Sequence, residues 1–195
     1  MFNSPGRGQK MLLDHQDRQA LLRIARRAID NCLRQENPSS IAAPDSPTLQ
    51  QRAGCFVTIK MGGELRGCIG TFTSDNPLHR EIQRMAVAAA TGDPRFYAMD
   101  AGDIGLYHLE ISVLSPLEKI TDIGDIEVGQ HGIYLEKEYC RGVLLPQVAT
   151  EYGWDRLTFL RQTAIKAGLP PDDWQSPQTD IYIFSAQIFA DEDCA

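Results

Sequence analysis

The run Leu65-Arg66-Gly67-Cys68-Ile69-Gly70 places a thiol two residues from a guanidinium, with glycines close on both sides. In an extended chain, residues i and i+2 share a face at about 7 Å. A positive charge at that range favours thiolate over thiol, and thiolate is the nucleophilic form. Salt screening keeps the effect modest unless the pair is partly buried. Cys68 is therefore the candidate nucleophile or redox thiol, with Arg66 assisting it. The competing reading makes Cys68 a small buried hydrophobe, which is the commoner role of a free cysteine. Glycine inside a strand marks a bulge or the close approach of a backbone or ligand, so Gly67 and Gly70 are candidate binding positions.

These residues need a hairpin to hold them. Two β-rich runs flank Met61-Gly62-Gly63-Glu64, the pattern of a hairpin with a primed turn. With Gly62-Gly63 as the turn, Lys60 faces Leu65, Ile59 faces Arg66, Val57 faces Cys68 and Cys55 faces Gly70. Phe56, Thr58, Lys60, Leu65 and Ile69 then share one side; Cys55, Val57, Ile59, Arg66 and Cys68 share the other. On this register Cys55 is a diagonal neighbour of Cys68, with α-carbons about 7–8 Å apart. A bulge would break it.

The segment after the hairpin offers a second idea. Thr71, Thr73 and Ser74 lead into a helix with Asn76 at its N-cap and Pro77 at its first position. Free N–H groups there attract anions, so Thr71 and Arg66 are candidates for holding a small phosphate or carboxylate. Hydroxyl-rich loops before helices more often serve only as caps. His108 and Glu110 share the polar face of a later strand. They could transfer a proton or ligate metal, against the plainer reading of a solvated face. No metal site is expected.

The remaining elements are punctuated clearly. Asp14 caps a first helix whose apolar positions are Leu21, Ala25, Ala28 or Ile29, and Cys32 or Leu33. Its other face carries Arg18, Arg23, Arg26 and Arg27. That face is either solvated or a dock for an acidic partner or for the acidic remainder of the chain. Residues 35–47, with three prolines, read as a linker. The Pro77 helix buries Leu78, Ile82, Met85, Ala86 and Ala89 and ends at Thr91-Gly92-Asp93-Pro94. Residues 105–114 alternate as a strand, with Tyr107, Leu109, Ile111 and Val113 on one face. After a turn-rich stretch come strands at 132–136 and 141–145, and a short helix opening at Pro146. A longer helix is capped by Asp155 and stopped by Gly168, and a last strand starts at Asp180. Strands and helices do not alternate regularly. The fold class is therefore α+β, with a mainly antiparallel sheet flanked by helices. A mobile N-terminus (1–13), one domain (14–190) and an acidic tail (191–195) are expected.

Composition excludes several functions. The 195 residues are 43% apolar and 23% charged, normal for a globular protein of one core. Nineteen basic against 26 acidic side chains give −7, which disfavours nucleic acid as a partner. The charge is uneven: residues 1–34 hold seven basic and three acidic side chains, +4, which leaves −11 on the rest. No run approaches the roughly 18 apolar residues of a membrane span, and the N-terminus lacks a secretory pattern, so a cytoplasmic location is expected. Five scattered cysteines, without a C-x-x-C pair, do not read as a disulfide framework. The sequence names no cofactor.

At the hairpin the chain resembles the AMMECR domain family, and over most of its length the AmmeMemoRadiSam system protein A group. The resemblance rests on Leu65 to Gly70, then Asp93-Pro94-Arg95-Phe96, Leu109 to Leu114, Gly132-Ile133, Leu144 to Ala149 and Trp154, in that order. It implies a larger and a smaller lobe with a cleft near the cysteine hairpin. It also implies company, a Memo-like protein and a radical-SAM protein, and it implies no particular reaction. Asp93 to Phe96 read physically as a helix stop with a pairable Asp and Arg and a buried Phe. Arg95 is an outside candidate for the cleft. Two functions follow: an accessory or specificity component for those partners, or a thiol-dependent enzyme using Cys68 on a small anionic substrate.

Overall fold

A computed structural model describes residues 12–36 and 45–191. Residues 1–11 of the expected mobile N-terminus, most of the linker and Cys194 fall outside the described residues, while Leu13, at the end of that expected segment, is buried with its N–H donating to Gln187. The chain divides into two compact units, Met1–Leu114 with Gln187–Ala195, and Ser115–Ala186.

In the first unit α1 (His15–Leu33) starts where the sequence placed it, with the Asp14 carboxylate accepting from the Asp17 N–H. Strands β1 (Cys55–Met61), β2 (Glu64–Thr71) and β3 (Tyr107–Leu114) form an antiparallel sheet in the order β2-β1-β3. One sheet face, carrying Cys55, Val57, Ile59, Tyr107, Leu109, Ile111 and Val113, is buried with Leu21, Ala25 and Ile29 of α1. Helix α2 (Leu78–Thr91) adds Leu78, Ile82, Met85, Ala86 and Ala89, the stripe read from its spacing. Its N-cap is Pro77 rather than Asn76, and no side chain caps it. The Asn76 amide is engaged elsewhere, on Glu81.

The second unit holds β4 (Glu118–Ile120), β5 (His131–Lys137), β6 (Cys140–Leu144) and most of β7 (Asp180–Ala190). The strand β7 pairs with β4 on one side and β5 on the other, and β5 pairs with β6, all antiparallel. Helices α3 (Pro146–Glu151) and α4 (Arg156–Lys166) cover this sheet, with Ala149, Phe159, Leu160 and Ala164 packing on Ile133, Leu135 and Ile183. Asp155 caps α4, and Gly168 follows it at φ +77°. The acidic end is not a free tail at its first residue. Asp191 accepts from the Leu109 N–H and pairs with Arg26. The Arg26 face of α1 thus docks partly on the chain's own acid.

The hairpin register departs from expectation. Met61 faces Glu64 and Lys60 faces Leu65 as read, but Ile59 then faces Gly67, Thr58 faces Cys68, Val57 faces Ile69 and Cys55 faces Thr71. Arg66 is the extra residue of a β-bulge opposite Ile59 and Lys60. With a side-chain period of two, one inserted residue moves Cys68 to the face opposite Cys55. The two thiols are not neighbours, because Cys55 lies in the core while Cys68 is half-exposed. A stability comparison tests this. Cys55→Ser, which buries a hydroxyl, should cost about 2–3 kcal/mol in urea unfolding, and Cys68→Ser less than about 1 kcal/mol.

Candidate functional site

The outer face of the β2-β1-β3 sheet collects the chemistry. Cys68, Thr58 and Glu110 face one another across the three strands, and Lys60 faces His108 one pair further along. The Thr58 hydroxyl donates to Cys68 Sγ at 3.3 Å. Lys60 Nζ donates to Glu110 Oε2 at 2.9 Å, so these two charges offset each other on a half-exposed surface. Arg66, the unpaired residue of the bulge, is half-buried and stands outside the alternation that sets the face of Cys68. It makes no ion pair among the described residues.

Cys68 also sits on the free edge of the sheet, and that edge is closed by side chains. Asp93 Oδ2 accepts from the Cys68 N–H at 2.9 Å, and Arg95 donates an Nη to the Cys68 carbonyl at 3.3 Å. Carboxylate and guanidinium together take the place of a neighbouring strand. The two groups hold each other as well: Arg95 Nε reaches Oδ1 at 3.0 Å, and the Nη on the Cys68 carbonyl reaches Oδ2 at 2.7 Å. The Asp93 side chain is only 2% exposed and the Arg95 side chain 54%. The Arg95 guanidinium, with the Cys68 N–H, holds the Asp93 carboxyl well below the usual carboxylate range, although burial works against it. Arg95 also lies over the Phe96 ring at 5.4 Å, and that ring is half-buried rather than buried. Among the described residues, the other Nη of Arg95 has no partner.

Both glycines near the thiol turn out to be packing positions. A Cβ on Gly67 would lie 2.1 Å from the Ala89 carbonyl oxygen, so glycine lets the backbone of α2 reach β2. A Cβ on Gly70 would lie 2.3 Å from the Phe56 ring, which covers that position. Cys55 is far from reactive, since burial pushes its thiol up. The Thr71 hydroxyl donates to the Thr73 carbonyl. At the start of α2 the chain supplies its own anion: Glu81, fully buried, accepts from Ser74, Asn76 and Arg84. Burial alone would raise its carboxyl, and those three donors outweigh it and hold it low. An added phosphate would have to compete with that carboxylate.

Residue typing singled out Cys68 and Arg66 and gave Thr58 and Lys60 no role, because the register without a bulge put those two on the side away from the thiol. No three His, Cys, Asp or Glu side chains among the described residues group as metal ligands. No described helix is long and apolar enough to cross a membrane.

The edge clamp has a pH signature. A carboxyl depressed in the fold contributes stability that is complete above its unfolded value of about 3.9. That contribution is lost as pH falls through the lower folded value. Asp93→Asn should cost about 1.5–3 kcal/mol at neutral pH. The gap to wild type should stay constant above about pH 5 and shrink as acid protonates the wild-type group. Urea midpoints across a pH series measure it; a gap that widens in acid would contradict the clamp.

Comparison with known proteins bears on the family and the fold. The AMMECR1 family model matches residues 22–189. A protein of Methanothermobacter thermautotrophicus is 42% identical over 188 residues, covering 92% of this chain and 97% of that one. One from Methanopyrus kandleri is 41% identical over 196 residues, covering 95% and 93%. The crystal structure of an uncharacterized protein from Pyrococcus horikoshii superposes with a TM-score of 0.77 at 39% identity, covering 88% of this chain and 90% of that one. The strand order, the helices and this match together establish that the chain belongs to the AMMECR1 family.

Proposed function

We propose that the chain acts through Cys68, as a thiol-dependent enzyme on a small anionic substrate. The observation that carries this reading is the way Cys68 is held. Its backbone N–H and C=O are fixed by Asp93 and Arg95, its sulfur accepts from Thr58, and its side chain faces outward. A cysteine that only fills space does not need three polar partners. Fixing a nucleophile before substrate arrives removes ordering cost from the reaction. Arg66 and the free Nη of Arg95 supply positive charge beside the sulfur for the anionic group of a substrate. Glu110, His108 and Lys60 are titratable groups on the same sheet face.

A second reading, an accessory or specificity component working with a Memo-like protein and a radical-SAM protein, draws support from one feature. Tyr97, two residues beyond Arg95, is 94% exposed. A bare aromatic next to the clamp is the kind of residue that anchors a protein contact. Under that reading the same hairpin and clamp shape a binding surface.

Thiol kinetics decide between the readings. Cys140 and Cys32 are half-exposed like Cys68 and serve as internal references. At neutral pH, iodoacetamide should modify Cys68 at least about tenfold faster than either. Arg66→Gln should slow Cys68 several-fold and leave the other two unchanged. Equal rates at all three cysteines would overturn the nucleophile and leave the accessory reading standing.

A further inference from the structure

We infer that the Tyr152–Trp154 stack, where α3 runs into α4, is a docking point for an arginine- or lysine-bearing segment of a partner protein. The two rings lie 4.9 Å apart between centroids and 17° from parallel. Trp154 is half-buried and rests on the core of the second unit, with its backbone N–H donating to the Ala149 carbonyl. Tyr152 lies outside it and is 69% exposed, with its backbone N–H donating to the Val148 carbonyl. Stacking covers one face of the tyrosine ring, so exposure of that size leaves the other face open to solvent. A ring already held flat on a fixed indole meets a partner with little ordering cost.

Charge around the stack selects the occupant. Glu151 precedes Tyr152, Asp155 follows Trp154, and both are exposed. Asp125 and Glu127, also exposed, sit on a loop pinned to the same corner. Arg156 Nε donates to the Ile126 carbonyl at 3.0 Å, and a Cβ on Gly129 would lie 2.9 Å from the Thr150 methyl. None of these acids makes an ion pair among the described residues. The cations of the same segments are already placed: Arg156 is half-buried on Ile126, Arg161 pairs with Asp172, and His131 turns its Nδ1 to the backbone of Asp125 and Glu127. The open face of an aromatic ring is itself electronegative, so ring and carboxylates attract the same group, a guanidinium or ammonium. Val128 and Leu157, exposed in the loop and in the first turn of α4, offer apolar contact to its aliphatic stem. A nucleic acid that stacked a base on Tyr152 would bring its phosphates against these carboxylates, which favours a basic peptide. The surface belongs to the second unit and Cys68 to the first, so the inference stands apart from the thiol chemistry.

The test uses the full chain and a fluorescein-labelled synthetic peptide of about twelve residues, with arginines spaced among leucines and serines. Fluorescence anisotropy should report binding, and raising salt from about 0.05 to 0.3 M should weaken it. Tyr152→Ala should raise the dissociation constant about three- to fivefold, while Tyr152→Phe, which keeps the ring face, should stay within about twofold of wild type. Glu127→Gln with Glu151→Gln should raise it at least about threefold with the ring intact. Tyr139 is the internal control, since it is 97% exposed beside Glu138 in the same unit and has no ring partner among the described residues; Tyr139→Ala should change nothing. All the substituted side chains are exposed, so the fold should survive, which circular dichroism checks. The inference fails if the wild type does not bind the peptide, or if Tyr152→Ala or the double variant binds it as tightly as wild type. It fails if Tyr152→Phe or Tyr139→Ala loses as much as Tyr152→Ala. It fails equally if single-stranded oligothymidylate, or the same peptide with glutamates in place of its arginines, binds as tightly.

Discussion

Arg66 occupies one more position in β2 than β1 can pair, and the whole site depends on that extra residue. Without the bulge, Cys68 would point into the core and Ile69 toward solvent, because side chains alternate strictly along a strand. With it, Ile69 joins Val57 against the core and Cys68 meets Thr58 outside. The cost of burying an unpaired polar group or exposing an isoleucine fixes the register, so the orientation of the thiol is set by the apolar residues on either side of it. Cys55 shows the consequence of the other orientation: a buried thiol held in its neutral form.

The clamp follows from packing rather than from local chemistry. Gly67 admits the Ala89 carbonyl to van der Waals range, which brings the end of α2 against β2. The chain leaves α2 at Gly92, so Asp93 emerges beside the unpaired edge of the strand. An edge N–H and C=O left open would invite pairing with another chain. Asp93 and Arg95 satisfy both groups with side chains only, which leaves the outer face of β2 clear. The segment therefore has two consequences at once, in that it ends a helix and it closes a sheet edge at Cys68.

Most elements were legible because their ends are marked by residues with a local mechanism. Asp14 and Asp155 accept N–H bonds at helix starts, Pro146 opens α3, and Gly168 takes a positive φ after α4. The hairpin turn was legible for the same reason. The bulge was not, because a glycine in a strand states that something unusual happens and does not state which residue is extra. Asp93 and Arg95 were readable as a pairable couple, but their third partner, Cys68, is 25 residues away in sequence. Contacts of that separation are decided by tertiary packing. Asp191 was misjudged likewise, since it looked like a tail and is bound to the distant Leu109 and Arg26, whereas Asn76, expected as a cap, is bound to Glu81 only five residues on.

Net charge conceals how the charges are spent. Glu110 is matched by Lys60, Asp93 by Arg95, Glu81 by Arg84, and Asp191 by Arg26. In the first unit these four acids are engaged inward or across the sheet, while Glu36, Asp45, Glu64 and Asp75 remain exposed. At the sheet edge Arg95 is the cation held against Cys68, through its carbonyl, with its guanidinium half given to Asp93. A charge acts on a ligand only insofar as no side chain of the protein already answers it. By that criterion the acidic total says little about any one surface, because Asp93, Glu81, Glu110 and Asp191 are already answered within the fold.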